Sequence, residues 1–154
     1  MEAIARDVKP ALLAEQLLVL WRDVMQGSSG AFFALLEELD LSITQIKTLD
    51  MLSGCSDEVS VKELSERLGM SLPSSSRTIE ALLRRGWLER REDEIDRRIK
   101  RIRLTDGGRD VVARVNGVRL DGLERFARSI GPAQRAELSR ALTAAHDSAS
   151  APRS

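Results

Sequence analysis

The 45 residues from Ser60 to Leu104, SVKELSERLGMSLPSSSRTIEALLRRGWLERREDEIDRRIKRIRL, restrict the fold more than the rest of the chain does. Ser60-Val61-Lys62-Glu63 has the spacing of a capping box, so a helix starts there with Val61, Leu64 and Leu68 on one side. Gly69 supplies the left-handed backbone position that ends such a helix. Ser71 then caps a second helix. Pro73 is tolerated in its first turn, Ile79, Leu82 and Leu83 face inward, and Gly86 ends it. After Gly86, residues 87–91 and 100–104 read as short strands, with Ile102 and Leu104 alternating against basic residues, and EDEIDRR (92–98) forms the loop between them. Two capped helices joined by a tight turn, followed by a basic hairpin, outline a winged helix-turn-helix.

The flanking sequence is helical. Leu12, Leu13, Leu17, Leu20, Trp21 and Met25 recur at three- and four-residue steps over Val8 to Met25, in a stripe too broad for a helix bordered mostly by water. GSSG at 27–30 interrupts or kinks this pattern before Ala31 to Leu39 resumes it, which leaves open one bent helix or two. Ser42-Ile43-Thr44-Gln45 is another capping box, opening a helix that carries Ile46, Leu49 and Leu52 inward and ends near Gly54. Asp106, matched to the positive N-terminal dipole, starts a long helix through Val111, Val115, Leu123 and Phe126, and Gly131-Pro132 separates it from a last helix bearing Leu138 and Leu142. The expected fold is mostly α with a small two- to three-stranded β wing. Its division is into N-terminal dimerisation helices (1–40), a winged helix-turn-helix domain (41–104), C-terminal dimerisation helices (105–146) and a flexible tail (147–154).

Composition narrows the function. At 154 residues and 42% hydrophobic the chain suits one ordinary domain with a real core. A single cysteine, Cys55, and a single histidine, His146, exclude an internal disulfide and a Cys/His zinc site. Neither a signal peptide nor an apolar run of about 18 residues is present, so a soluble cytoplasmic protein without a membrane partner is expected. There is no nucleophile-base set, metal cluster or phosphate loop, so neither enzymatic activity nor a cofactor is expected. The net charge is zero but unevenly spread: residues 1–50 carry a net −4, 51–76 a net −2, and 104–154 a net +2. Residues 77–103, with 10 basic and 6 acidic side chains, carry +4, and phosphate attraction depends on the contact face rather than on the whole molecule.

A recognition helix presents short polar side chains and a long cation at the end that enters the groove, and Ser74, Ser75, Ser76, Arg77 and Thr78 provide them. Arg77 can pair with a guanine edge or instead hold a phosphate or an ion pair. Asp96-Arg97-Arg98 sits on the wing, where an arginine can enter a narrow minor groove and a neighbouring carboxylate can hold its fork.

These residues carry a family resemblance. LSITQ (41–45), VKELSERLGMS (61–71), SR (76–77), LLRRGWLERREDEIDRR (82–98) and LTDGG (104–108), in this order and spacing, resemble the MarR family of bacterial winged-helix regulators. The resemblance implies an obligate homodimer joined through its terminal helices. It further implies a pseudo-palindromic double-stranded operator, bound as a repressor that a small ligand or oxidant releases. Ser76 and Arg77 would then meet the major groove, and Arg97 or Arg98 the minor groove, with Asp96 orienting the wing. The chain departs from the family pattern in two places. Ser75 stands where an aliphatic residue is usual, and Ile95 stands on the wing where a small or polar residue is usual, either packing back on the hairpin or facing DNA sugars.

Hydrophobicity independently favours a dimer, because Leu17, Leu20, Trp21, Phe32, Phe33, Val118, Leu123 and Phe126 exceed what one winged-helix core can bury. The expected function is a dimeric, sequence-specific transcriptional regulator; the alternative is a winged-helix protein-interaction module without specific DNA binding. Trp21, Phe32 and Phe33 are candidate walls of an effector pocket, with core packing as the competing role. Cys55 has two readings, a redox sensor and an inert packing thiol. The effector and the operator sequence are not written in the chain.

Overall fold

The computed structural model describes residues 8–150. Helix α1 (Pro10–Glu38) leads to α2 (Ile43–Ser53), strand β1 (Val59–Ser60), α3 (Val61–Leu68), α4 (Leu72–Arg84), β2 (Leu88–Glu92), β3 (Lys100–Leu104), α5 (Asp106–Ser129) and α6 (Pro132–Ser150). Contacts divide these elements into two units, residues 31–118 and the terminal residues 8–30 with 119–150.

In the unit of residues 31–118, both capping boxes form. Ser42 accepts from the Gln45 N–H while the Gln45 side chain accepts from the Ser42 N–H at 2.8 Å, and Ser60 and Glu63 repeat the exchange. Gly69 ends α3 at φ 63°, a left-handed position that a side chain with a Cβ adopts only under strain. The three strands form an antiparallel sheet in the order β1, β3, β2, with Val59 opposite Ile102 and Leu88 opposite Leu104. Strand β1, two residues long, gives no periodic signal in the sequence; it completes the sheet anticipated as two- to three-stranded.

One apolar core holds this unit together. Ile46, Leu49, Leu64, Ile79, Leu82 and Ile102 are its innermost side chains, and Leu35, Leu36, Val111, Val112 and Val115 extend it along α1 and α5. The turn from β3 into α5 is fixed by Thr105. Its hydroxyl donates to the Gly86 carbonyl at 2.7 Å and accepts from the Gly108 N–H at 3.1 Å. A Cβ on Gly108 would meet the Trp87 carbonyl oxygen at 2.1 Å, so glycine is required for this close approach.

Three expectations are revised. GSSG does not interrupt α1, which runs unbroken for 29 residues. Glycine costs a helix about 1 kcal/mol relative to alanine, and the Leu- and Ala-rich sequence on both sides carries the ladder across. The region expected as a flexible tail is helical through Ser150, placing His146 within α6; residues 151–154 lie outside the described residues. Ser75, expected on the groove-facing side of the recognition helix, is only 1% exposed. It lies four residues before Ile79 and seven before Leu82, the two other buried positions of α4, so helical periodicity turns it to the core.

The terminal unit is built differently. Val24 is buried there, whereas Leu12, Leu13, Leu17, Leu18, Trp21, Leu120, Leu123 and Leu142 are exposed. Among the described residues no helix is long and apolar enough to cross a membrane.

The Ser75 hydroxyl has no hydrogen-bond partner. An unsatisfied buried hydroxyl costs about 1–3 kcal/mol. Alanine is also the better helix former. Ser75→Ala is therefore expected to raise stability by about 1 kcal/mol. Urea unfolding of the two proteins at one pH checks this, and a destabilised variant contradicts it.

Candidate nucleic-acid interface

The first turn of α4 is set by Ser71, whose side chain accepts from the Ser74 N–H at 3.4 Å, and by Pro73, which needs no intrahelical donor there. Ser74, Ser76 and Arg77 are exposed, while the Thr78 hydroxyl donates back to the Ser74 carbonyl at 3.0 Å. Ser75 drops out of the candidate contacts because its side chain faces the core.

The wing tip is a built turn rather than a loose loop. The Asp93 N–H donates to the Ile99 carbonyl at 3.0 Å, and the Ile99 N–H to the Asp96 carbonyl at 2.9 Å. Asp93 Oδ1 accepts from the backbone N–H groups of Ile95 and Asp96 at 2.9 and 3.0 Å, and its Oδ2 accepts from Arg101 Nε at 2.7 Å. Asp96 Oδ1 accepts from the Arg98 N–H at 3.0 Å, so it shapes the backbone beneath Arg98. Sequence reasoning named Asp96 and missed Asp93, the carboxylate with more contacts. The signal was present, since an Asp that starts a tight turn bonds N–H groups two and three residues on.

These bonds hold the Asp93 carboxyl down at about 2 against an ordinary 3.8, first through the Asp96 N–H, then through the Arg101 guanidinium and the Ile95 N–H. At the other end of the same guanidinium, Arg101 Nη1 lies 3.2 Å from Glu63 Oε2. The backbone N–H and the hydroxyl of Ser60 hold that carboxyl below its ordinary value, with Arg101 adding to the effect.

The 10 cations of residues 77–103 fall into two sets. Arg90 pairs with Glu80, Arg91 with Glu58 and Glu94, Lys100 with Glu92, Arg101 with Asp93 and Glu63, and Arg103 with Glu89 and Glu58. Arg85 donates to the Leu39 and Asp40 carbonyls and lies 4.0 Å above the Trp87 ring. Arg77, Arg84, Arg97 and Arg98 have no such partner among the described residues and are exposed. Arg84 lies in the last turn of α4, where a cation complements the helix dipole, and was not singled out in the sequence. The other three are the cations that the sequence pattern assigned to groove contact. Charge that is not neutralised within the protein is what a phosphate backbone or groove edge can use.

Chain comparisons match this geometry. Residues 39–99 fit the model of the MarR family. Over this stretch the chain is similar to the MarR family. The transcriptional repressor MprA of Escherichia coli strain K12 is 42% identical over 53 residues, covering 34% of this chain and 30% of the repressor. The match thus spans under a third of that curated relative's length. RV1404 from Mycobacterium tuberculosis superimposes with a TM-score of 0.75 at 26% identity, over 96% of this chain and 99% of the other. The Staphylococcus aureus MepR-DNA complex has the same fold, with a TM-score of 0.68 at 21% identity over 84% of this chain and 97% of MepR. The matched segment, residues 39–99, contains α4 and the whole wing tip.

The remaining sequence candidates occupy other places. Phe32 packs against the core, edge-on to Phe33 with ring centroids 5.5 Å apart, which gives Phe32 a packing role. Phe33 is 57% exposed beside Leu41 and Ile43. Trp21 belongs to the terminal unit and is 62% exposed, over a shallow groove that α1 alone lines with Leu18 and Met25. Cys55 is half-buried; its thiol donates to the Met51 carbonyl at 3.3 Å and accepts from Arg67 Nη1 at 3.1 Å. Among the described residues no group of His, Cys, Asp and Glu is placed to hold a metal.

Because the folded Asp93 carboxyl titrates below its ordinary value, the stability it confers is fully present above about pH 4 and is lost as the pH falls toward 2. Asp93→Asn keeps an acceptor for the two N–H groups but loses the ionic partner of Arg101. The variant is expected to be less stable than wild type at pH 7 and to lose less stability between pH 4 and 2. Urea unfolding at a series of pH values measures both, and parallel curves for the two proteins refute it.

Proposed function

We propose that this protein is a dimeric transcriptional regulator that binds a pseudo-palindromic duplex through two copies of α4 and the wing. The observation that carries the reading is the sorting of cations: six of ten in residues 77–103 are engaged within the protein, and three of the rest lie at the start of α4 and the wing tip. Ser76 and Arg77 meet the major groove, Arg77 as the base reader with Ser74 nearby at the helix end. Arg97 or Arg98 meets the minor groove, with Asp96 and Asp93 shaping the turn beneath them. The name of the Escherichia coli relative, a transcriptional repressor, supports regulation by repression, and the MepR complex supports DNA as the ligand of this fold.

Dimerisation is supported by the terminal unit. Its large apolar side chains lie in water in the single chain, and a twofold axis would cover them with their own equivalents. Two DNA-reading heads at a fixed spacing follow from the same symmetry. Release by a small ligand or oxidant completes the proposal, and exposed Phe33 is its candidate ligand contact within the unit of residues 31–118.

A titration over salt tests DNA binding, using a duplex selected by the protein from a random pool. Wild type is expected to lose log affinity linearly with log salt. Arg77→Ala should weaken binding by about 1–3 kcal/mol and relax the preference at one base pair. Arg90→Ala, which breaks a pair internal to the protein, should do much less. Binding indifferent to salt and to Arg77 would favour a protein-interaction module.

Assembly has its own test. Sedimentation equilibrium should give a dimer for wild type and a shift toward monomer for Leu123→Glu, a change at a side chain that is half exposed in the single chain. A monomeric wild type at micromolar concentration removes the dimer from the proposal.

A further inference from the structure

Ile95 is 98% exposed at the wing tip, the most solvent-exposed of the large apolar side chains among the described residues. It does not pack back on the hairpin, which removes one of the two places open to it from the sequence. Its position is held: its backbone N–H donates to Asp93 Oδ1, Asp93 is fixed by Arg101, and Arg101 is tied in turn to Glu63 on α3. A β-branched side chain has few χ1 states to lose on contact. The turn therefore presents a stiff apolar group outward, two and three residues from the unpaired Arg97 and Arg98.

We propose that Ile95 is an apolar contact of the wing with DNA, seated against the deoxyribose wall of the minor groove that Arg97 and Arg98 enter. The inference rests on the DNA-binding reading above and adds a contact of different chemistry to it. Cations draw the wing toward phosphate and groove floor, and the C–H edges of the sugars are the apolar surface within reach of a side chain so close to them. Aliphatic side chains are known to serve minor-groove binders as wedges between base pairs, but unstacking a step requires more than one isolated isoleucine on a hairpin returns. Contact with the wall needs no unstacking. It is strongest where the groove is narrow and both walls approach the side chain, so Ile95 favours the same A·T-rich, narrow-groove flanks that attract the arginines.

The experiment uses the full chain and a duplex that the wild-type protein selects from a random pool. Ile95→Ala leaves the turn intact, since the bonds to Asp93 come from backbone N–H groups, and its thermal unfolding should match wild type. Its affinity is expected to fall about tenfold with the slope of log affinity against log salt unchanged. Arg98→Ala should instead reduce that slope by about 0.9. Hydroxyl-radical cleavage, which reports access to the sugars, should show the flanking minor-groove protection of wild type lost in Ile95→Ala and retained in Ile95→Val. Protection beneath α4 should persist in both. An Ile95→Ala protein within about twofold of wild type and with the wild-type footprint overturns the inference and leaves the DNA reading standing. A wild-type protein that selects no duplex overturns the DNA reading itself, and this contact with it.

Discussion

Arg101 ties α3, the sheet and the wing tip together. One planar guanidinium reaches the capping carboxylate of α3 through Nη1 and the turn-forming carboxylate of the wing through Nε. Its backbone position is fixed by the pairing of β1 with β3, which sets Arg101 opposite Ser60, the cap residue of that same helix. The capping box, the sheet register and the wing tip are thus mutually conditional. Were β3 to slip by one residue, the Arg101 side chain would move to the other sheet face and Asp93 would lose its cation. Lysine could not replace it, because a single ammonium lacks the fork that reaches two carboxylates in different directions.

The same arrangement explains how a chain with no net charge can carry a local excess of exposed cations. Residues 77–103 hold six acidic side chains, and five of them, Glu80, Glu89, Glu92, Asp93 and Glu94, pair with cations of the hairpin. Asp96 accepts a backbone N–H instead. The pairs on the strands are exposed to water and contribute little to stability individually. Their larger effect is spatial. They neutralise the hairpin stem and leave positive charge at the start of α4 and at the tip, where counterion release can be used.

Local chemistry was legible in the sequence wherever a short-range rule decides the backbone. Both capping boxes, Gly69 and Pro73 lie where spacing predicted them, because each depends on residues within four positions, and the strand-loop-strand pattern shows in the alternation of β3 itself. Decisions made by distant contacts were not legible. β1 exists because β3 offers it an edge, and its two residues have no periodicity to detect. Ser75 is a different case: its spacing to Ile79 and Leu82 marks an inward position, and only its hydroxyl disguises it as a surface residue. Asp93 stands before the arginines that give the wing its character, and the turn is made by this residue that opens it.

The terminal helices differ from the core unit, because the large apolar side chains that the sequence expects to need partners remain exposed within one chain. Burial of a leucine is worth about 1.5–3 kcal/mol, so even partial covering of several such residues outweighs any single polar contact in the terminal unit. Intrinsic propensity does not replace that burial: isolated helices in water are marginal, and most helical stability in proteins comes from packing an amphipathic face. If two copies supply the missing surface to each other, the stability of these helices is set by mass action as well as by sequence. DNA binding then acquires a concentration dependence that has its origin outside the winged domain. In such a dimer the covering that stabilises the terminal helices would also be what holds two heads at one spacing.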